Sequence, residues 1–76
     1  MTESIYGIAV QVAERYRLPV MRVLARSRVE REAAARLTIY RIAADAGYSY
    51  AAIGRRLGRC RSTVRYGVLA ARRLGL

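Results

Sequence analysis

An all-α fold, a bundle of four to five helices ending in a helix-turn-helix, is what this chain of 76 residues predicts. Three observations carry it. Apolar residues recur at helical spacing along nearly the whole chain, and no stretch alternates as a strand would. Alanine supplies much of the apolar content, and small side chains suit closely packed helices better than a sheet. Pro19, Gly47 and Gly58 fall singly, at intervals that punctuate helices. The length fits one small domain over residues 1–76, with a limited core.

The elements follow in order. Ser4 is a candidate N-cap for a first helix running to about Arg17, with Ile5, Ile8, Val12 and Tyr16 on one stripe. Pro19 breaks it, and can open a short second helix, PVMRVLA, as a first-turn residue. The basic connection ARSRVER comes next. Ser27 and Glu30 have capping-box spacing, so a long helix should start near them and run to about Ala46. Its polar stripe is Arg31, Thr38, Arg41 and Asp45, with Arg41 and Asp45 paired at i,i+4. The remaining faces carry alanines, Leu37, Ile39, Tyr40 and Ile42, which predicts the central element of the bundle. Gly47 stops it. Ser49 can cap a helix over YAAIGRRLG, Gly58 breaks that, and a last helix spans about Arg61 to Leu74.

Charge then narrows the function. The formal net charge is +10, from fifteen basic and five acidic residues, and every basic residue is arginine. Genome composition accounts for the missing lysine but not for the net charge, and a small domain this basic calls for a polyanionic partner. All five acids lie at or before Asp45; seven arginines and no acid follow it. The second half is therefore the expected contact surface. Cys60 is the lone cysteine, so the chain has no intramolecular disulfide. Without histidine, a zinc site or a histidine-based catalytic set is not expected. No glycine-rich phosphate loop or clustered carboxylate pair is present, so no enzyme, metal or cofactor is expected. MTESIYGIAV lacks the basic start of a signal peptide, and no uncharged run approaches the ~20 residues of a membrane span. A cytoplasmic, nucleoid-associated protein that does not engage membranes is the expectation.

Residues 49–74 have the demands of a helix-turn-helix. Gly54 sits where two steeply crossing helices would touch, Gly58 lies in the turn, and Ile53, Leu57 and Val64 are the anchors. Set out at about 100° per residue, the last helix places Val64, Gly67, Val68, Ala70, Ala71 and Leu74 on one side. Arg61, Ser62, Arg65, Tyr66, Arg72 and Arg73 fall on the other, with Leu69 alone against the pattern. A basic face is often simply solvated, but one without any acid favours contact with phosphates or base edges. A recognition helix enters the major groove with its first residues foremost, which puts Arg61, Ser62 and Arg65 nearest the bases.

Several pieces together resemble the C-terminal DNA-binding domain (domain IV) of the bacterial replication initiator DnaA, a helix-turn-helix of the Trp-repressor-like type. They are VAERYRL, VMRVLARSR, the helix around Leu37, SYAAIG and GRCRSTVRYG, and they span about Val12 to Ala71. Gly58, Arg59, Thr63 and Val64 match the family signature GGRDHTTVLHA, and one glycine of its pair is absent. The resemblance implies base-reading positions at Cys60, Arg61 and Ser62, a phosphate contact at Thr63, and a minor-groove arginine at Arg28, with Arg26 the alternative. Cys60 and Arg61 replace the family's Asp and His, so the DNA sequence read should differ from the initiator's own box. The expected phosphate contacts are Arg55, Arg56, Arg59, Thr63, Tyr66, Arg72 and Arg73. No ATPase domain accompanies these residues, and a stand-alone transcriptional regulator of bacterial or phage origin is the expected function, with double-stranded DNA as partner. The competing expectation is a protein-interaction module docking on RNA polymerase, a replication factor or another regulator, with Tyr6, Tyr48 and Tyr50 as contacts.

Overall fold

The computed structural model describes residues 3–76, and these form five helices and no strand. Helix α1 (Ile5–Tyr16) starts where Ser4 Oγ accepts the Gly7 N–H at 2.9 Å. It buries Ile5, Ile8 and Val12, together with Ala9 and Ala13. Tyr16, at the end of the stripe, is half-buried and bonds through its hydroxyl to Thr38 Oγ1 at 2.9 Å. The chain leaves α1 through Arg17 in the left-handed region, with φ 58° and ψ 44°.

Helix α2 (Val20–Leu24) follows an extended Pro19, which serves as N-cap rather than as a first-turn residue. Its ψ of 137° places it one residue outside the helix, and its carbonyl accepts the N–H groups of Arg22 and Val23. Val23 is the fully buried anchor of this short element.

Helix α3 (Glu30–Asp45) is the central element: it packs against all four others. Ala35, Ile39, Tyr40 and Ala43 are its buried apolar residues. The expected capping box does not form. Ser27 Oγ instead accepts the N–H of Val29, two residues on, at 3.0 Å. That local turn makes Val29 the N-cap, which leaves Glu30 as the first helical residue instead of the third. The predicted polar stripe also needs correction at Thr38, which is buried and bonds to the Ala34 carbonyl and the Tyr16 hydroxyl. Arg41 and Asp45 pair as expected, at 2.8 Å.

Helix α4 (Tyr50–Leu57) is capped by Ser49 Oγ, which accepts from Ala52 N at 3.0 Å. Helix α5 (Arg61–Leu74) buries Val64, Gly67, Val68 and Ala71 against α3 and α4. Leu74, assigned to the apolar side, is 66% exposed. The helix reaches the edge of the bundle there, so position on the apolar stripe no longer means burial.

Candidate nucleic-acid interface

The α4–α5 turn is built by two glycines with different tasks. Gly58 takes φ 72° and ψ 35°, a left-handed conformation that costs glycine no Cβ clash. Gly54, four residues earlier, is fully enclosed: a Cβ there would collide with the carbonyl of Arg59. Arg59 N in turn donates to the Gly54 carbonyl at 2.8 Å. Ile53 and Val64 are fully buried and Leu57 nearly so. The turn therefore fixes where α5 begins.

The first turn of α5 is open to solvent. Cys60, Arg61, Ser62, Thr63, Arg65 and Tyr66 are all exposed. Cys60 is the N-cap, and its Sγ lies 3.0 Å from Thr63 Oγ1. The Thr63 hydroxyl, with the backbone N–H groups of Thr63 and Ser62, holds the Cys60 thiol below its ordinary pKa. The start of the helix does this rather than the neighbouring arginines. The Arg65 guanidinium lies 5.8 Å from the centre of the Tyr66 ring.

Residues 25–29 form the basic connection between α2 and α3, with Arg26 and Arg28 exposed on it. This connection and α5 flank one groove of about 460 Å³. Arg26, Arg36 and Arg59 line it beside the Thr63 hydroxyl, with Leu37, Tyr40 and Gly67 among its apolar lining, and no carboxylate borders it. The structure thus brings together two segments more than thirty residues apart in sequence, the loop of Arg26 and Arg28 and the start of α5.

The other expected contacts divide. Arg55 and Arg73 are exposed, with no acidic partner among the described residues. Arg56 stacks over the Tyr6 ring of α1 at 5.2 Å, so it serves the α1–α4 edge. Arg72 is bound to Asp45 at 3.0 Å, an acid that also holds Arg41. Arg59 is turned towards the end of α2 and not outwards: its guanidinium donates to the carbonyls of Leu24 at 2.8 Å and Ala25 at 3.3 Å.

No family model, curated protein or solved structure matches this chain.

Sequence reasoning missed Arg36 and Glu32. Arg36 donates to the carbonyls of Val23 at 3.0 Å, Ser27 at 2.7 Å and Ala25. Its place in the middle of an alanine-rich helix gave no sign of this. Glu32 is 5% exposed and pairs through Oε2 with Arg22 at 3.2 Å, while Oε1 has no hydrogen-bond partner. The Ser27 hydroxyl and the Arg22 guanidinium hold its carboxyl below the ordinary value. Of the three tyrosines expected to meet a protein partner, Tyr48 donates its hydroxyl to the Glu3 carbonyl at 2.8 Å, Tyr50 is half-buried, and Tyr6 is exposed beneath the Arg56 guanidinium. Among the described residues no cluster of three or more His, Cys, Asp or Glu could hold a metal ion, and no helix is long and apolar enough to cross a membrane.

Proposed function

We propose that this chain is a sequence-specific double-stranded DNA-binding protein acting as a small transcriptional regulator. Helix α5 enters the major groove with Cys60, Arg61, Ser62 and Arg65 foremost, and the loop bearing Arg26 and Arg28 reaches the adjacent minor groove. The observation that carries this reading is the acid-free groove, which has one arginine-bearing segment on each side. Arg26, Arg28, Arg55, Arg61 and Arg65 form no ion pair with a described acid, so their donors are available to phosphates and base edges. Structural ion pairing, the ordinary use of surface arginine, takes up Arg22, Arg41 and Arg72 instead. The resemblance of GRCRSTVRYG to the DnaA signature supports the same assignment of the α4–α5 segment as a helix-turn-helix.

Selection of bound duplexes from a random pool, followed by titration at rising salt, tests the proposal. A defined motif should emerge, and affinity for it should fall steeply with salt as arginine-bound phosphates release counterions. The described backbone extends 26 Å along its longest axis, which at about 3.4 Å per base pair corresponds to about 8 base pairs before the side chains add their reach. Equal affinity for all duplexes rules out the specific reading, and a flat salt response rules out DNA as the partner.

A further inference from the structure

Two arginines converge on the end of α2, and their arrangement points to a role that neither charge nor sequence position assigns. Helix α2 has only five residues, so its last carbonyls have no partner within the helix. Arg36, from α3, donates to Val23, Ala25 and Ser27. Arg59, from the α4–α5 turn, donates to Leu24 and Ala25. The Ala25 carbonyl thus receives both guanidiniums. Like charges would ordinarily separate them; the carbonyl dipoles at the C-terminal end of α2 favour cations there and offset the repulsion.

From this geometry we infer that Arg59 is a positioning residue, a clasp that fixes the 25–29 loop relative to the start of α5. The inference rests on the DNA-binding reading for its consequence but not for its mechanism. The backbone of Arg59 has no freedom to drift, since its N–H is bonded to Gly54 and its carbonyl abuts the Cα of Gly54. Its side chain crosses directly to the loop that carries Arg26 and Arg28. Both bonds, to Leu24 and Ala25, leave from Nη2, while Nη1 donates to the Gly58 carbonyl at 3.4 Å, so the planar guanidinium is held on two sides; an ammonium, a single point donor on a flexible stem, does not reproduce that hold. The clasp makes the two reading segments a single rigid reader, whereas a phosphate contact at the same residue would add one charge-assisted contact without tying the segments together.

Two measurements separate these roles. The first is hydrogen exchange on the free protein. Arg59→Gln and Arg59→Lys should both accelerate exchange in residues 25–29, with the helical circular dichroism unchanged. Wild-type exchange rates in the two folded variants overturn the clasp. The second is a double-mutant cycle on a selected duplex. Arg59→Gln should weaken binding about tenfold in the otherwise native chain, comparable to losing one good contact. In an Arg26→Ala/Arg28→Ala background it should weaken binding less than about twofold, because the loop no longer carries a reading group. Equal losses in both backgrounds, together with retained affinity in Arg59→Lys, would make Arg59 a phosphate ligand and overturn the proposal. If no duplex is bound while loop exchange still accelerates, the clasp stands and the DNA-binding reading fails.

Discussion

On the proposed DNA-binding reading, Arg61 is the side chain on which base recognition should depend most. It is the first residue of α5, it is exposed, and no acid among the described residues neutralises it. Arginine makes a bidentate contact to guanine worth about 1–3 kcal/mol of discrimination. Arg61→Ala should therefore broaden the motif recovered by selection, whereas Arg73→Ala, in the last turn of the same helix, should weaken all duplexes alike. An unchanged motif in Arg61→Ala would move the reading role to another residue. Arg17 offers a prediction of a different kind. It is the one non-glycine residue with positive φ among the described residues, at a helix exit where α4 and α5 use glycine. A side chain in that conformation costs about 1 kcal/mol. Its side chain makes no hydrogen bond or ion pair there among the described residues, so Arg17→Gly should raise the unfolding free energy by about 1 kcal/mol in a denaturant titration.

At the scale of elements, the seating of α5 on α3 depends on a missing side chain. Gly67 is buried in the middle of α5, and a Cβ there would press into the Tyr40 ring, with Cε2 at 3.0 Å and the Leu37 Cδ2 at 3.2 Å. Tyr40 is 2% exposed, so its ring can yield only towards the groove that it lines. Alanine would gain about 1 kcal/mol of helix propensity at position 67, but overpacking typically costs about 1–3 kcal/mol. Gly67→Ala should be destabilising overall, with a lower thermal midpoint. A midpoint equal to or above wild type would mean that α3 and α5 can separate without loss. Because the groove beside Gly67 is shared with the loop of Arg26, the same substitution should also disturb the spacing of the two basic segments.

Across the whole molecule, two carboxylates tie the bundle together. Asp45 holds Arg41 and Arg72, linking α3 to α5, and the two guanidiniums keep its pKa below the ordinary value. Glu32 links α3 to Arg22 of α2 and has its pKa lowered by Ser27 and then Arg22. A carboxyl with a depressed folded-state pKa stabilises the fold above its unfolded value and loses that contribution as pH falls through the folded one. Stability should therefore be level near neutrality and decline on acidification through and below the usual carboxylate range. Asp45→Asn should flatten part of that decline in denaturant titrations taken across the acid range. An acid limb identical to wild type would show that the Asp45 bridge is too exposed to contribute, as many surface pairs are.

Much of this architecture was already legible in the residues. Helical periodicity, Ser4 and Ser49 as caps, Gly58 as a turn and Ile53, Leu57 and Val64 as anchors follow from local spacing, because a helix places its neighbours by a fixed repeat. The same repeat determined that α3 would be apolar on several faces and hence central. The charge asymmetry, too, is read from the order of the residues alone. What only the tertiary structure decided is which arginines are available. Arg36, Arg59 and Arg72 look like Arg28 and Arg61 in sequence, yet the first three meet carbonyls or an acid from other helices, at separations of up to 35 residues. A guanidinium reaches whatever acceptor the fold brings near it. Its role is set by long-range proximity, which no local repeat encodes.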